Sequence, residues 1–384
     1  MIRVLTVLPF LVFVLFQSHG QYNNDGLHSH LKSGVDSSEL PGFAVAVMNS
    51  DSILFQRSYG YENLNENVKF STKQRFNIAS ISKTFIGVVI MSLVEEGKLT
   101  LDTPINELLP FKVENPHHTK DITIKHLASH TSSILDEGIG QKSWYLDGSP
   151  SFSKKEVGKE IYKSFSSWAS NTKLDLGEFL EESLKVNGIN YTKKRFAKTE
   201  PGQHYEYSNL GAALAAYIVE LTTGISFDDY IEKFVQEKFG FETGIWKHKV
   251  EELPTSYFQN KIEIPAYRPI LYPTGGMMLS CEELSEYLFA MIKGFNGESQ
   301  ILQPESFQRM MNISMGKGVF WELKGNKIGH NGGNYGVICL MSFDKETGLG
   351  RIFMTNISSY ASNDILNQVV KIWNCLQDYF PPKT

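Results

Sequence analysis

Hydrophobic and polar positions divide this chain into a β-rich start, a helical middle and a β-rich end. Near the start, apolar runs at 43–48 and 52–59 flank the polar turn 49–51, a pattern that predicts a β-hairpin. The positions 60–72 that follow predict a loop. Near the end of the chain, the predicted strands are 318–323, 327–330, 335–343 and 351–356. Both ends of the chain are therefore expected to supply strands.

Helices are predicted mostly where apolar residues recur every three or four positions. The predicted helices are 22–40, one from Ser80 to about Gly97, 155–165, 175–186, 211–222, 227–239, 282–292, 304–311 and 363–380. Because sheets and helices must each bury an apolar face, the simplest architecture is an α/β fold of the α+β sandwich type. We expect one antiparallel sheet built from both chain ends and flanked by helices, with an all-helical region inserted.

The inserted region, about 136–198, is polar and rich in Ser and Lys, and it also carries several aromatic residues. Long irregular segments inside a compact chain are commonly lids or binding loops. One interpretation is therefore a lid or substrate-binding insertion. The other is a solvated layer that packs against the rest of the domain, and the sequence favours neither.

The N-terminus has the pattern of a secretory signal peptide, which we assign to residues 1–20. Arg3 supplies positive charge, 4–16 is an apolar run, and Ser18-His19-Gly20 offers a small-x-small cleavage site. The apolar run is shorter than the roughly 20 residues that span a bilayer, and no later segment is long and apolar enough to do so. We expect a secreted or periplasmic mature domain at 21–384. The alternative is an uncleaved N-terminal anchor.

Composition narrows the classes of function. The 384 residues carry a formal charge of −5 without a dense Lys/Arg patch, so nucleic acid is not an expected partner. Three widely spaced cysteines form neither a disulfide framework nor a metal pattern. Cys339 lies in an apolar run and is expected in the core, while a single Cys281–Cys375 bridge stays open. No His-Glu-x-x-His motif occurs, and no metal or other cofactor is expected.

Ser80 and Lys83 are the strongest candidates for chemistry. They are three residues apart at the start of an apolar helix, so their side chains lie on one face about one turn apart. A serine hydroxyl is a poor nucleophile at neutral pH, but a buried lysine amine beside it can lose its proton and act as its base. The start of a helix also favours negative charge. Ser-x-x-Lys occurs four times, and only this copy lies between a strand-like run and a long apolar helix.

Two downstream segments resemble those that penicillin-recognising serine hydrolases place around such a serine, namely a Tyr-x-Asn or Ser-x-Asn loop opposite it and a Lys/His-x-Gly segment on a strand that lines the pocket. Tyr207-Ser208-Asn209 precedes an apolar helix that can hold it rigidly, whereas the other Tyr-x-Asn triplets lie before the serine. Lys327-Ile328-Gly329 and His330-Asn331-Gly332 are Lys/His-x-Gly triplets on one predicted strand, offset by three residues and hence on opposite faces. We prefer the histidine triplet as the pocket edge, because its glycines let the backbone approach a substrate.

Together these segments resemble the β-lactamase-related serine hydrolase family, which includes class C β-lactamases, D-alanyl-D-alanine carboxypeptidases, D-aminopeptidases and esterases. The matching segments are Ser80-Ile81-Ser82-Lys83, Leu127-Ala128-Ser129-His130-Thr131-Ser132, Glu200-Pro201-Gly202 with Tyr205 to Asn209, Pro273-Thr274-Gly275-Gly276 and Gly329-His330-Asn331-Gly332-Gly333. The second segment is followed by Ser133, where the family usually has Gly. Five segments in the family's order imply a β-lactamase/transpeptidase-like fold over nearly the whole mature chain.

The resemblance implies cleavage of an amide or ester bond through an acyl-enzyme. Ser80 would attack the carbonyl, and Lys83 and Tyr207 would share the removal of the serine proton and its delivery to the leaving group. Asn209 would position Lys83 or the substrate. The backbone N–H groups of Ser80 and Gly333 would form the oxyanion hole. Water activated near the tyrosine would then hydrolyse the acyl-enzyme.

The segment that begins at His330 departs from the family pattern. Penicillin-active members commonly carry Lys, a hydroxyl residue and Gly, where this chain has His330, Asn331 and Gly332. Histidine is mostly neutral near pH 7, so recognition of a β-lactam or peptide carboxylate is weakened. Esterases and aminopeptidases of the family tolerate histidine here. The expected partner is a small-molecule or short-peptide substrate.

Several alternatives stay open. His130 is either a triad base or, as we prefer, a buried residue that holds its loop, and Tyr207 is either catalytic or only packed. The whole protein is either a hydrolase or a catalytically idle binding or sensor protein that keeps the pocket. We favour the hydrolase, because an idle pocket has no need of Ser80, Lys83 and Tyr207 together.

Overall fold

The computed structural model describes residues 23–36, 39–146, 148–242, 244, 246, 252–259, 261–313 and 315–380. The predicted signal peptide at 1–20 lies outside the described residues.

The strands of this structure form one large sheet and two small ribbons. The strands are β1 Gly42–Met48, β2 Ile53–Asn63, β3 Val68–Lys69, β4 Phe76–Asn77, β5 Trp144–Leu146, β6 Tyr267–Pro269, β7 Met278–Leu279, β8 Glu322–Lys324, β9 Lys327–Asn334, β10 Val337–Asp344 and β11 Gly350–Thr355. The large sheet has seven strands in the order β3-β2-β1-β11-β10-β9-β8. β1 pairs antiparallel with β11, Phe43 opposite Thr355. The prediction of one antiparallel sheet built from both chain ends is confirmed.

The helices flank this sheet and fill the middle of the chain. They are α1 Asn24–Asp36, α2 Ser82–Glu95, α3 Ile124–Ala128, α4 Lys154–Val157, α5 Lys159–Trp168, α6 Leu176–Leu184, α7 Asn209–Thr223, α8 Phe227–Phe239, α9 Cys281–Phe295, α10 Pro304–Met310 and α11 Asn363–Asp378. Most predicted helices agree with these within a few residues. Among the described residues, no single helix is long and apolar enough to cross a membrane. α7 and α8 pass that test only as a pair, bent by 81°.

The core lies on both faces of the sheet, which explains why β1 is buried along its whole length. Ala44, Ala46 and Met48 point to the face covered by α2, α7 and α9, where the larger cluster of buried apolar residues lies. Phe43 and Val45 point to the opposite face, which α1 and α11 cover. Successive side chains of a strand alternate between faces. A strand with apolar residues on both faces therefore occupies the centre of a layered sandwich.

Three predictions about individual segments were wrong. The segment 60–72 is not all loop, because β2 continues to Asn63 and pairs with β3. The insertion at 136–198 is not all-helical, because β5 pairs with β6. The run 318–323 is a strand only from Glu322 onward. The backbone N–H groups of Val319 and Phe320 donate to the carbonyls of Met310 and Ala128, not to a neighbouring strand. This apolar run is therefore buried in the core next to helix ends.

The cysteines are buried and free. Cys281 and Cys375 belong to clusters on opposite faces of the sheet, which separates them and leaves no bridge between them. Cys339 lies in β10 in the core, as predicted.

Candidate active site

Ser80 lies in a strained turn between a strand and a helix. β4 runs into a 3-10 turn at Ala79–Ile81, and α2 follows at once. Ala79 has a φ of 45°, a left-handed conformation that costs energy in a residue with a side chain. Two hydrogen bonds hold it, because its N–H donates to Asn77 Oδ1 at 2.8 Å and its carbonyl accepts from Ser82 Oγ at 2.7 Å. The turn leaves Ser80 partly exposed at the start of the helix.

Lys83 is wholly buried in the first turn of α2, and its amine lies beside the serine hydroxyl. Nζ is 3.1 Å from Ser80 Oγ and donates to the carbonyl of Thr274 at 2.7 Å. Burial lowers the pKa of Lys83 from 10.5 to about 7, and the carboxylate of Asp136 partly opposes this shift. A substantial fraction of Lys83 is therefore neutral near pH 7, which is the form that can accept the serine proton.

Tyr207 lies directly before α7 and faces the same serine. Its hydroxyl shares a hydrogen bond with Ser80, and its ring centroid is 5.0 Å from Lys83 Nζ. Burial raises the pKa of Tyr207 above its usual value of 10, so the phenol is protonated near neutral pH. The predicted trio of Ser80, Lys83 and Tyr207 therefore converges on one point.

The predicted segment His330-Asn331-Gly332-Gly333 lies on β9, and close packing requires its glycines. A Cβ at Gly332 would lie 2.3 Å from the carbonyl oxygen of Ile78, and a Cβ at Gly333 would lie 2.9 Å from Ser359 Cβ. β9 therefore passes directly over the backbone that leads into the Ser80 turn. This closeness puts Gly333 where its backbone can take part in the site.

His330 is a buried, neutral residue of this strand. Nδ1 lies 2.7 Å from the carbonyl of Asn331 and must donate to it, which leaves Nε2 as an acceptor. Burial and, to a smaller extent, the charge of Lys83 lower the pKa of His330 to about 3. Its ring centroid is 6.2 Å from that of Tyr207. Lys327, which begins the alternative Lys-x-Gly triplet, is exposed on the opposite face of β9 from His330, and its Nζ donates to Gln377 Oε1.

Within the described residues, Asn209 makes no hydrogen bond to Lys83, which was one of its two expected partners. Its Nδ2 donates to Asp136 Oδ2 at 2.8 Å instead. Asp136 also accepts from the backbone N–H groups of Asn209 and Leu210 and from Ser208 Oγ. Sequence reasoning missed Asp136. The available signal was its position, just after the Leu-Ala-Ser-His-Thr-Ser segment at the start of the insertion.

His130 holds the tyrosine segment from the other side. Its Nδ1 accepts from the backbone N–H of Ser208 at 3.2 Å, and its ring lies 4.6 Å from the Tyr207 ring. Burial and the nearby Lys83 charge hold the pKa of His130 well below its usual range. No hydrogen bond from this ring to a serine hydroxyl occurs within the described part of the chain, which agrees with the structural interpretation.

A cavity of about 1060 Å³ lies beside the Ser80 turn. Its wall includes Asn77, Gly275 and Asn334, which are chain neighbours of the turn, of Thr274 and of Gly333. The aromatic residues that line it are Trp144, Tyr145, Trp246, Tyr267, Tyr272 and Tyr335. Two of these belong to the 136–198 insertion, so the insertion contributes to a cavity wall. This contact is what a substrate-binding insertion requires.

The assembled groups suit nucleophilic acyl transfer. A hydroxyl lies between an amine that is partly neutral near pH 7 and a protonated phenol, so one group can take a proton and the other can donate one. Among the described residues, no group of three His, Cys, Asp or Glu side chains could hold a metal ion.

The model of the Beta-lactamase family matches residues 27–371, a range that includes every segment of this site. The chain belongs to the Beta-lactamase family. Structural neighbours of this chain include the hydrolase EstCE1, a β-lactamase/D-alanine carboxypeptidase and a D-stereospecific amidohydrolase. The resemblance deduced from the five sequence segments is confirmed.

Curated relatives within the Beta-lactamase family are distant. Protein flp of Staphylococcus aureus (strain MRSA252) is 22% identical over 277 residues, which are 67% of this chain and 46% of the relative. Penicillin-binding protein 4* of Bacillus subtilis (strain 168) is 26% identical over 214 residues, which are 55% of this chain and 39% of the relative. This chain thus spans less than half the length of these relatives.

Solved structures of the family share the fold. The octameric penicillin-binding protein homologue of Pyrococcus abyssi has a TM-score of 0.68 at 21% identity, over 92% of this chain and 77% of that one. The β-lactamase/D-alanine carboxypeptidase of Pseudomonas syringae has a TM-score of 0.64 at 16% identity, over 93% and 99%. The D-stereospecific amidohydrolase of a Streptomyces species has a TM-score of 0.63 at 18% identity, over 91% and 98%.

Proposed function

We propose that this protein is an extracytoplasmic serine hydrolase that cleaves an amide or ester bond through an acyl-enzyme on Ser80. The observation that carries the proposal is the position of one hydroxyl between an amine that is partly neutral near pH 7 and a protonated phenol. Lys83 Nζ is 3.1 Å from Ser80 Oγ, and the Tyr207 hydroxyl bonds the same serine. An amine with a pKa of about 7 is matched to neutral pH, where a general base is most effective.

In the proposed first step, neutral Lys83 removes the proton of Ser80 as its oxygen attacks the carbonyl carbon. Tyr207 then delivers its proton to the leaving group, and protonated Lys83 passes the former serine proton to the tyrosinate. In the second step, water attacks the acyl-enzyme and the same groups work in reverse. The proton balance closes, because each group ends in its starting state.

The negative charge on the carbonyl oxygen is assigned to the backbone N–H groups of Ser80 and Gly333. The close approach of Gly332 to Ile78 brings the two backbones together and supports this assignment. Removing one donor of such a pair typically costs about 2.7–4 kcal/mol of transition-state stabilisation. The charge that forms at the start of α2 is also favoured by the helix dipole.

We propose a small molecule or short peptide as the substrate, with a bulky apolar group that enters the aromatic cavity. Its volume of about 1060 Å³ is at the upper end of the range of small-molecule sites. The N-terminal pattern supports export to the periplasm or out of the cell, and the family supports D-amino-acid peptides, β-lactams or esters as classes to test.

The decisive experiment is active-site labelling with a fluorophosphonate probe. The wild-type protein should become labelled at Ser80, and Ser80→Ala should not. Ser151→Ala is the matched control, because Ser151 also begins a Ser-x-x-Lys sequence but is exposed. Labelling that persists in Ser80→Ala would refute the assignment.

A substrate panel separates the hydrolase from the idle binding protein. Nitrocefin, a p-nitrophenyl ester and D-alanyl peptides test the three bond types. Turnover of any of them that disappears in Ser80→Ala supports the hydrolase. Binding without turnover across the panel, and no fluorophosphonate labelling, would favour the sensor or binding protein.

A further inference from the structure

Asp136 makes an unusual number of contacts with the segment that carries Tyr207. Its Oδ1 accepts from Ser208 Oγ at 3.1 Å and from the N–H of Leu210 at 2.9 Å. Its Oδ2 accepts from the N–H and from the Nδ2 of Asn209, each at 2.8 Å. All four donors belong to three consecutive residues directly after the tyrosine. The carboxylate of Asp136 therefore helps to fix the residue at which α7 begins.

The same contacts explain how the segment is positioned. The start of an α-helix exposes N–H groups without an intrahelical partner, and an anion there satisfies them and complements the dipole. Ser208 already caps α7 by accepting from the N–H of Gly211 at 2.9 Å. Asp136 adds a second cap from outside the helix. Because Tyr207 immediately precedes these residues, its position relative to Ser80 depends on both caps.

The charge of Asp136 is not cancelled at close range. Within the described residues, no lysine, arginine or histidine nitrogen lies within 4.0 Å of its carboxylate oxygens. Arg195 is close enough to interact electrostatically, but its guanidinium donates to the carbonyls of Glu137, Ser183 and Asn190. Lys83 also experiences the charge. The carboxylate can therefore act on the site at a distance.

We propose that Asp136 is a positioning residue of the hydrolase: it anchors the Tyr207 segment and holds a negative charge next to the site. The inference rests on the proposed function. It also gives the 136–198 insertion a second role, because its first residue reaches into the site while later residues line the cavity.

Asp136→Asn tests both parts. The amide has the same shape but no charge, and it cannot accept all four hydrogen bonds. We expect the plateau kcat to fall at least tenfold. We also expect the rising limb of kcat/KM against pH to move to lower pH, because loss of the anion removes the influence that raises the Lys83 pKa. The other charged or titratable groups near Lys83 are Tyr207, His130 and His330, and the substitution leaves all three in place.

Glu137→Gln is the matched control, because Glu137 is the adjacent carboxylate, its side chain is exposed, and its main-chain carbonyl accepts from Arg195. It should retain the wild-type kcat and pH profile. An unchanged kcat in Asp136→Asn would overturn the positioning role. A reduced kcat with an unmoved rising limb would reduce Asp136 to a structural cap and overturn the electrostatic part. If Asp136→Asn does not fold, Asp136→Ser is measured against the same expectations.

A readout without turnover separates this inference from the proposed function. The ionisation of Lys83 is followed by NMR of its ε-carbon in wild-type protein and in Asp136→Asn. A downward displacement of the titration midpoint in the variant supports the electrostatic part even if no substrate is cleaved. Coincident titrations would overturn that part even in an active hydrolase.

Discussion

Replacing Lys83 by methionine should abolish activity and stabilise the fold. Lys83 is wholly buried, and its pKa falls from 10.5 to about 7 because burial penalises the ammonium ion. One pKa unit corresponds to about 1.4 kcal/mol. The difference between the two values therefore means that charged Lys83 costs the folded state on the order of 5 kcal/mol.

The sign of the effect follows from the two protonation equilibria. Below pH 7 the lysine is charged in both the folded and the unfolded state, so the folded protein carries the full cost. Between pH 7 and 10.5 only the unfolded state stays protonated, so stability rises with pH as the cost declines. Methionine removes the charge but loses the hydrogen bonds to Ser80 and Thr274, each worth about 1 kcal/mol. We expect a net gain of about 2–3 kcal/mol near pH 6 that declines as the pH rises and becomes a net loss of about 1 kcal/mol near pH 10.

The assay is urea denaturation of wild-type protein and Lys83→Met from pH 6 to 10. Lys98→Met is the control, because Lys98 is exposed and paired only with Glu96 at the surface. It should change the free energy of unfolding little at any pH. A Lys83→Met variant that is less stable than the wild type at pH 6, or a difference that is constant across the pH range, would refute the reasoning.

Three further predictions follow from the site and the core. The kcat/KM of a p-nitrophenyl ester should rise with pH and level off above about 7, because the pKa of Lys83 is about 7 whereas that of His330, about 3, leaves the imidazole neutral throughout; a flat profile from pH 5 to 9 would contradict this. Gly332→Ala should lose most activity, since its Cβ would meet backbone at 2.3 Å, whereas Gly140→Ala, with open space around it, should not; steady-state kinetics of both variants test this. Thiol titration with a disulfide reagent should find no reactive cysteine in the native protein and all of them in denaturant. The three thiols are Cys281, Cys339 and Cys375.

Local pattern predicted the architecture well, because most of its rules act within a few residues. The hairpin of β1 and β2 follows from two apolar runs around a polar turn, and the apolar helix after Ser80 from its continuous hydrophobicity. The same rule failed at 318–321. An apolar run is typical of a strand, but here the N–H of Gly318 donates to the carbonyl of Trp321. The N–H groups of the next two residues donate to the last residues of α10 and α3. The hydrogen-bond partner of a buried backbone group depends on tertiary contacts, which a local sequence pattern does not contain.

The site was predictable where one segment carries the chemistry and unpredictable where it depends on contact between segments. Ser80 and Lys83 share one turn, so their spacing alone places them together. Asp136 reaches residues 72 to 74 positions away, and its carboxylate has no motif that marks it. The left-handed Ala79 is equally invisible in the sequence, because residues with a side chain seldom adopt that conformation.

The neutrality of His330 bears on which substrates this site can prefer. A hydrogen bond to a charged group is worth about 1.5–3 kcal/mol, against about 1 for a neutral pair. A carboxylate placed beside His330 would meet an imidazole whose Nδ1 proton is already donated to Asn331, so its remaining nitrogen offers a lone pair to an anion. That contact is repulsive. A group that donates a hydrogen bond, such as an amide N–H, an amine or a hydroxyl, fits the same nitrogen. If the proposed function holds, this strand favours a hydrogen-bond donor over an anion, and esters or amides without a carboxylate at that position are the substrates expected to react fastest.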